Sequence, residues 1–327
     1  MNRLLRLRLR PRSPWRTPWQ ADTLAGMLCW MCARTEGDGV LREEILAPML
    51  AGEPPFVLSD AFPGDLLPVP LAVRLQPWAE EARKTIKRAR WLPRACFERV
   101  RAGEALALHD LVTESPLVEH GHTRNTLGRL NDTTGDAGSL FTHPEYHIEK
   151  GHAALTGADW LSVYLRVRPG FEDLLLHLVT ELASVGFGAD ASVGKGAFDF
   201  PGGVPELEPI EDLGAALLAA NAAVTLSTFQ PGAGDPVAGL WESFTKHGKL
   251  GPDFGLGNVH KHPLLLCRPG ACFRVDAPRP FLGRAVPMDE LLPAPAAAAL
   301  RERGVETLHP AFGLALPARL DWSTIHD

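Results

Sequence analysis

VGFGADASVGKGAFDF, residues 185–200, links a strongly periodic segment to a short strand-like segment. The stretch is dense in glycine, with Gly186, Gly188, Gly194 and Gly196. Residues without a Cβ let backbone N–H groups approach an anion closely, and a lysine in the same stretch adds a mobile positive charge. The stretch therefore predicts a loop that holds phosphate groups, although glycine-rich loops are also common as plain connectors.

The spacing within this loop excludes a nucleotide-hydrolysing P-loop. That motif has four residues between its first glycine and Gly-Lys-Ser/Thr, whereas five residues separate Gly188 from Gly194. Gly196 follows Lys195, so the hydroxyl that would bind magnesium is missing. The loop also leads from a helix to a strand, which reverses P-loop order. Such a loop suits binding of a nucleic-acid backbone without phosphate chemistry.

The segments on either side of the loop have clear periods. LSVYLRV at 161–167 predicts a strand, and FEDLLLHLVTELASV at 171–185 predicts a helix with a buried leucine stripe. Leucine and arginine alternate from Leu5 to Arg10, which predicts a strand with its leucines facing a core. Thr17 and Pro18 then indicate the start of a helix. Together with AFDF these elements predict a split β-α-β-β-α-β unit with a long insertion.

The elements begin again after the Pro201-Gly202-Gly203 sequence, where a domain boundary is plausible. AAVTLSTFQP (222–231) predicts a strand and VAGLWESFTKHGK (237–249) a helix-like segment. HPLLLCRPGACFRV (262–275) predicts two strands of a hairpin, in which Cys267 and Cys272 face each other and stay reduced. HPAFGLALPARL predicts a closing strand.

Length and composition agree with two domains, at about 100 to 200 residues each. The net charge of −6 across 327 residues excludes a protein that coats nucleic acid over its whole surface, so any polyanion site must be local. Six arginines crowd the first sixteen residues, and residues 206–212 carry four acidic side chains. A basic face and a separate acidic face would suit a subunit that holds RNA on one side and protein on the other.

Cysteine usage and hydropathy predict a cytoplasmic protein without a membrane partner. The five cysteines are an odd number, and Cys29 and Cys32 have no second CxxC to complete a zinc site. We expect both to pack in a core. The N-terminus lacks the apolar segment of a signal peptide, and no apolar run is long enough to span a bilayer.

Five histidines lie in or next to the polar segment 120–150: His120, His122, His143, His147 and His152. No spacing among them matches a known pair of metal ligands on a helix, and no carboxylate completes such a set. We therefore predict no metal and no cofactor.

Six segments, taken in order, resemble one family. They are TPWQADTLAGMLCW, RNTLGRLNDTT, LSVYLRV, GFGADASVGKGAF, KHPLLLCRPGACF and HPAFGLALP. The chain is similar to the Cas5-like RAMP subunit of type III-A CRISPR Csm complexes, subunit four. The resemblance implies an α+β chain of two ferredoxin-like (RRM-like) domains. The first would span 1–203, with an inserted segment at 38–155 and the glycine-rich loop at 186–196, and the second would span 204–327.

The same resemblance implies a noncatalytic subunit that caps the 5′ tag of the CRISPR RNA. Its partners would be the large polymerase-like subunit and a backbone RAMP subunit. By position it implies RNA contacts for residues of the first helix, the polar insertion and the loop: Gln20, Asp22, Thr23, Arg124, Asn125, Thr126, Arg129, Gly188, Ser192, Gly194, Lys195 and Gly196. Loop amides and arginine side chains would then hold phosphates of the tag.

Three other interpretations stay open from the sequence. Relatives with this fold cut precursor CRISPR RNA with histidine, lysine or tyrosine as acid and base, and His122, His147 and Lys195 would be the candidates here. The chain could equally be the equivalent subunit of another type III subtype. A free-standing RNA-binding protein is disfavoured by the acidic net charge.

Overall fold

The computed structural model describes residues 3–125, 140–149, 158–214, 217, 219–251, 254–256 and 259–324. The first lobe contains strands at Leu5–Pro11 (β1), Phe56–Pro63 (β2), Leu66–Pro68 (β3), Trp91–Pro93 (β4), Leu117–Asn125 (β5), Leu140–Ile148 (β6), Leu161–Val167 (β7), Phe198–Asp199 (β8) and Glu208–Pro209 (β9). Its helices are Ala21–Thr35 (α1), Asp38–Val40 (α2), a π-helix at Leu41–Leu46, Ala47–Leu50 (α3), Leu71–Arg74 (α4), Arg83–Arg88 (α5), Arg94–Arg101 (α6), Glu172–Val185 (α7) and Glu211–Gly214 (α8).

The second lobe contains strands at Ala222–Thr225 (β10), Gly239–Leu240 (β11), Ser243–Lys246 (β12), Leu264–Cys267 (β13), Cys272–Arg274 (β14), Phe281–Pro287 (β15) and Leu308–Ala318 (β16). Its helices are Met288–Leu291 (α9) and Ala294–Glu302 (α10). Short 3₁₀ turns lie at Glu80–Ala82, Leu108–Asp110, Ala191–Val193 and Trp322–Thr324. Among the helices of the described ranges, none has the length and hydropathy needed to cross a bilayer.

The first sheet has the strand order β2-β7-β1-β8, and β9 pairs with β1. All of these pairs are antiparallel, and the predicted strands at 5–11 and 161–167 lie side by side with Leu7 opposite Val163. The leucines of β1 are buried, as the alternation predicts. The predicted helix at α7 follows β7, and the glycine-rich loop connects α7 to β8.

Strand β2 lies within the range predicted as an insertion, yet it belongs to the central sheet. Each of its eight residues is buried, because α1 and β16 pack against it. A strand covered on both faces has no alternation of polar and apolar residues, which is why the Pro-rich region 38–80 gave no clear signal. Most of the inserted chain therefore follows Pro63, and it includes the ribbon formed by β5 and β6.

The arginine face of β1 meets carboxylates, which corrects the expectation of separate basic and acidic faces. Arg6 lies opposite Glu208 in the β1–β9 pairing and is 6% exposed. Its guanidinium donates to Glu208 at 2.7 and 2.9 Å and also contacts Asp65. Arg10 donates to Asp199 at 2.8 Å. Glu208 of the acidic segment, together with Asp65 and Asp199, thus neutralises arginines of the basic strand.

The first helix begins at Ala21, after Gln20, and not at Thr17 and Pro18. The Thr17 hydroxyl instead accepts the N–H of Ala189 in the glycine-rich loop at 2.9 Å. Cys32 is buried in the core and Cys29 packs against it, as predicted. Burial raises the pKa of the Cys29 thiol to about 12 and that of Cys32 to about 11, which disfavours thiolate chemistry.

The second sheet has the order β11-β14-β10-β16-β15, with α9 and α10 between β15 and β16. The helix-like segment predicted at 237–249 is wrong, since β11 and β12 form there. Gly239 lies so close to strand β14 that a Cβ on it would lie 2.4 Å from the Cys272 carbonyl oxygen. This close approach suits a paired strand and explains the glycine.

The predicted hairpin at 262–275 is also wrong. β13 pairs with β12, whereas β14 pairs with β10 and β11, so Cys267 and Cys272 lie in different sheets and are both unbonded. The turn between them packs on the first lobe, where the Gly270 carbonyl accepts the N–H of Leu71 at 2.9 Å. Residues 267–271 also exchange backbone hydrogen bonds with residues 225–229, so the chain continues alongside β10 and does not fold back as a hairpin.

One apolar core runs through both lobes. It contains residues of β1, α1, β2, β7 and α7 together with residues of β10 and β16. The backbone N–H of Asp60 in β2 donates to the Leu226 carbonyl at 2.9 Å, and the Ser227 hydroxyl donates to the Leu58 carbonyl at 2.6 Å. The lobes are therefore joined along β2 by packing and by hydrogen bonds.

Candidate nucleic-acid interface

The glycine-rich loop directs most of its backbone amides into the protein. Gly188 N–H points at the Met27 sulfur at 3.3 Å, and Gly196 N–H donates to the Pro14 carbonyl at 2.9 Å. Gly194 and Lys195 donate to carbonyls within the loop itself, at 3.0 and 3.1 Å. The expectation that glycine amides face an anion is wrong at these positions, because the amides are already bonded.

Glycines are required here for close packing. Gly188 has φ +81°, and a Cβ on it would lie 2.6 Å from Thr17. Gly196 has φ +67°, and a Cβ on it would lie 2.0 Å from the Phe187 carbonyl oxygen. The loop is thereby drawn against the segment before α1, where the Phe187 ring stacks on Trp19 with centroids 3.8 Å apart. The glycines allow this close packing, and the groups left to contact a ligand are the side chains of the loop.

The β5–β6 ribbon stands beside this loop. Backbone hydrogen bonds between Trp15 and Tyr146, at 3.0 and 2.7 Å, anchor it to the segment that precedes α1. Directly opposed residues of an antiparallel pair share a face, and the register places seven polar or aromatic side chains on one face of the ribbon. They are His120, His122, Arg124, Phe141, His143, Glu145 and His147.

Loop and ribbon meet in a group of five charged residues, which we call the loop–hairpin cluster: Arg16, Arg124, Glu145, Asp190 and Lys195. Asp190 Oδ2 lies 2.6 Å from Arg16 Nη1 and 2.8 Å from Arg124 Nη1. Glu145 Oε2 lies 2.7 Å from Lys195 Nζ, and Glu145 Oε1 lies 3.8 Å from Arg124 Nη2. Three cations and two carboxylates leave one net positive charge.

The carboxylates of this cluster are held in their ionised form. The hydrogen bond from Arg16 is the main cause that lowers the pKa of Asp190, and the hydrogen bond from Lys195 does the same for Glu145. Asp190 has φ +63°, a left-handed conformation that is uncommon for a residue with a side chain. The two arginines bind that carboxylate and so connect the loop to the segment before α1 and to β5.

The structure brings together only some of the sequence-predicted site residues. Arg124 and Lys195 meet through Glu145, while Ser192 and Gly194 lie exposed at the tip of the loop. Asn125 ends β5 and is exposed. Thr126 and Arg129 lie outside the described residues.

Gln20, Asp22 and Thr23 form a second group with Lys246 and His309, which we call the seam cluster. The Lys246 ammonium donates to Gln20 Oε1 at 2.8 Å, to both Asp22 oxygens at 2.7 and 2.9 Å, and to Thr23 Oγ1 at 2.8 Å. His309 Nε2 lies 2.9 Å from Asp22 Oδ2. The three residues predicted to contact RNA here join α1 to β12 and β16.

Burial governs the electrostatics of the seam cluster. Asp22 is 1% exposed. Burial by itself would raise the pKa of this carboxyl group, but the hydrogen bond from His309 and the charge of Lys246 lower it to about 2. Burial lowers the pKa of His309 and of the neighbouring Lys261. Asp22 is thus a buried anion that these basic side chains face.

Sequence reasoning missed Arg16, Asp190 and Glu145. Arg16 and Asp190 are 174 positions apart, so no local pattern connects them. A signal was present for the ribbon, because the histidines at 120 and 122 and those at 143 and 147 are separated by multiples of two residues, the period of a strand face. Within the described ranges, no three histidine, cysteine or acidic side chains gather closely enough to hold a metal ion.

No protein-family model and no curated protein matches the chain. Solved structures match it almost from end to end. Chains from a Csm1–Csm4 cassette in complex with pppApA and from the same cassette in complex with AMPPNP each share 18% identity with it, at TM-score 0.62, over 98% of this chain and 99% of that chain. A chain from the Csm3–Csm4 subcomplex of the type III-A CRISPR-Cas interference complex shares 11% identity, at TM-score 0.58, over 96% and 99%.

These neighbours are components of CRISPR-Cas complexes, and at such identities the likeness establishes the fold. Csm4 is the component that the cassette and the subcomplex have in common. The fold of this chain is therefore Csm4-like, and the resemblance predicted from its six segments is confirmed.

Proposed function

We propose that the chain is the RNA-binding structural subunit of a type III CRISPR ribonucleoprotein that acts in antiviral defence. It caps the 5′ tag of the CRISPR RNA and bridges the large polymerase-like subunit to the backbone filament. Support comes from its likeness, over nearly its whole length, to chains of a Csm1–Csm4 cassette and of a Csm3–Csm4 subcomplex.

The two lobes correspond, in this proposal, to two ferredoxin-like (RRM-like) domains. The first lobe supports this with the chain order β1-α1-β2-β7-α7-β8 and the sheet order β2-β7-β1-β8. The second lobe is a modified unit. Strands replace its expected first helix, and β15 extends the sheet beyond β16.

The observation that carries the proposal is the convergence of Arg16, Arg124 and Lys195 where the loop meets the ribbon. Positively charged side chains beside exposed imidazole and aromatic planes are what single-stranded RNA requires, because its phosphates need cations and its bases need flat partners. In this chain the groups that would bind phosphate are charged side chains, since the glycine amides already have partners within the protein. A local basic site also agrees with the acidic net charge.

The test is assembly of the chain with its large subunit, its backbone subunit and a guide RNA. We expect the wild-type complex to protect the 5′ end of the guide from a 5′ exonuclease. A variant with alanine at positions 16, 124 and 195 should still assemble and should lose that protection. Full protection in the triple variant would contradict the proposed site.

The matched control removes three arginines that lie in other ion pairs, Arg42, Arg284 and Arg301. It changes the net charge by the same amount. We expect its complex to protect the 5′ end as the wild type does. An equal loss in both triple variants would show that net charge, and not this site, governs protection.

The subunit is proposed not to cut RNA itself. Lys195 is held by Glu145 at 2.7 Å, and the His147 ring stacks on His120 with centroids 4.9 Å apart. Labelled repeat RNA incubated with the purified chain without metal should stay intact. Cleavage at one position, abolished by His122→Ala or Lys195→Ala, would instead establish a processing endoribonuclease. The identity of co-purifying subunits will distinguish the type III subtypes.

A further inference from the structure

We propose that Asp190 and Glu145 occupy two neighbouring phosphate subsites and that phosphates of the bound RNA displace them. This inference rests on the proposed function and adds to it. It assigns the subsites to particular cations, and it makes the two carboxylates internal competitors of the ligand.

The first subsite is the position of the Asp190 carboxylate. Arg16 and Arg124 both direct Nη1 at the same oxygen, Oδ2, at 2.6 and 2.8 Å. Guanidinium groups bind carboxylate and phosphate oxygens with the same geometry. The Arg16 side chain is 15% exposed and that of Arg124 32%, so neither guanidinium is free in solvent. A site that holds one oxyanion between two fixed guanidiniums can therefore hold another.

The second subsite is the position of the Glu145 carboxylate. Lys195 Nζ contacts Oε2 at 2.7 Å, and Arg124 Nη2 lies 3.8 Å from Oε1. Arg124 thus takes part in both subsites, which places them side by side. Two adjacent oxyanion positions joined by one arginine are suited to successive phosphates of a single strand.

Charge favours an exchange at these subsites. Each carboxylate and each phosphodiester carries one negative charge, so the exchange keeps the pairing of every cation. The cluster begins with one excess positive charge, which attracts a polyanion before any carboxylate leaves.

The backbone supports displacement at Asp190. This residue has φ +63°, which is uncommon for a residue with a side chain, and both arginines bind its carboxylate. Release of the carboxylate lets the loop tip relax. Gly194 at the same tip is exposed, and a Cβ added to it would meet no atom within 4 Å beyond its chain neighbours, so the tip is not packed against the rest of the protein at this position.

The opposite role is also testable, because the carboxylates could instead position the cations for the ligand. Asp190→Asn and Glu145→Gln keep the shape of each side chain and remove its charge. Asparagine is accommodated in the left-handed conformation. If the carboxylates compete, each variant binds RNA more tightly, and if they position the cations, each variant binds it more weakly.

The experiment measures binding of the full chain to a short fluorescent single-stranded RNA at two salt concentrations. Exchange predicts that each variant binds about threefold to fivefold more tightly than the wild type, as expected when one partly exposed ion pair no longer competes. Glu290→Gln removes a charge from the Arg284 ion pair of the second lobe and serves as the matched control. It should bind as the wild type does.

The outcomes separate the inference from the proposed function. The exchange would be overturned if both carboxylate variants bound RNA no more tightly than the wild type. If Lys195→Ala weakened binding in the same assay, the proposed function would still stand. Absence of RNA binding by the wild type and by both variants would overturn both. Thermal unfolding of each variant confirms that it is folded. Asp190→Asn decides the matter alone if Glu145→Gln is unstable.

Discussion

The loop–hairpin cluster and the seam cluster are built from the same chemistry, carboxylates bound to basic side chains at 2.6 to 2.9 Å. They differ in exposure. The Asp22 side chain is fully buried, whereas that of Asp190 is 25% exposed and that of Arg124 32%. Glu145 is the least exposed member of the loop–hairpin cluster, at 10%. Removing one partner of a buried pair leaves a charge without compensation, while a partly exposed charge regains water. The buried cluster therefore stabilises the fold, and the exposed one remains available to a ligand.

The largest expected effect is on folding, and it comes from the seam cluster. Asp22→Asn leaves Lys246 and His309 without their buried anion, and it should lower the free energy of unfolding by about 3 kcal/mol or more. Asp190→Asn removes a carboxylate with as many basic partners, and it should cost less than about 1 kcal/mol. Denaturant titration of both variants measures the difference. Equal losses would show that exposure does not distinguish the clusters.

The next effect separates packing from backbone conformation in the glycine-rich loop. Gly196→Ala places a Cβ 2.0 Å from the Phe187 carbonyl oxygen, so the loop must move, and we expect a loss of about 2 to 4 kcal/mol. Gly194→Ala is the matched control. It has a similar φ of +84° with open space around it, and it should cost about 1 to 2 kcal/mol. Thermal unfolding measures the stability lost by each variant. A greater loss in Gly194→Ala than in Gly196→Ala would show that close packing is not the reason for the glycine at 196.

A pH dependence distinguishes Asp22 from Asp60, the buried carboxyl group of β2. Asp60 accepts hydrogen bonds from Ala21 N–H and from Thr228, yet burial raises its pKa to about 6. The folded state then binds a proton that the unfolded state releases above its ordinary pKa of 3.8. Its contribution to stability is therefore present at low pH and is lost as pH rises through about 6. Asp22, with a pKa of about 2, contributes above 3.8 and loses that contribution as pH falls toward 2.

The measurement is the free energy of unfolding of wild type and Asp60→Asn at pH 5 and pH 7.5. We expect the wild type to lose more stability than the variant as pH rises between these values, because only the wild type must give up the proton on Asp60. An identical change in both proteins would mean that Asp60 does not titrate in this window.

The smallest effect concerns affinity. Lys195→Ala removes one charged contact, and it should weaken binding of the RNA tag by about 1 kcal/mol regardless of sequence. Lys249→Ala removes the same charge at an exposed position of the second lobe and should leave affinity unchanged. Binding is measured on the assembled complex with tag and scrambled RNA. Unchanged affinity in Lys195→Ala would exclude this lysine from the site.

Local periodicity was enough to predict those elements that have one buried face. The alternation in β1 and the leucine stripe of α7 were both predicted, because each has a polar side that sets a period. β2 has none, since α1 and β16 cover it. The pairing of β13 and β14 was mispredicted because residues 267–271 bond to residues 225–229, which are distant in sequence, and not to each other.

Only part of the candidate site could be predicted from the amino-acid sequence. Composition located the loop and its lysine, but it could not show where the glycine amides point. The partners Arg16 and Asp190, and likewise Glu145 and Lys195, come together only through the fold. Gln20, Asp22 and Thr23 are polar residues beside a helix start, and the sequence does not show that they hold Lys246.

The most direct test of the central claim is photo-crosslinking in the assembled complex, with a photoreactive nucleotide placed in the 5′ tag of the guide RNA and the crosslinked peptides identified by mass spectrometry. Our account predicts crosslinks to the glycine-rich loop at 186–196 and to strands β5 and β6. Crosslinks confined to other surfaces of this chain, or to other subunits alone, would contradict it.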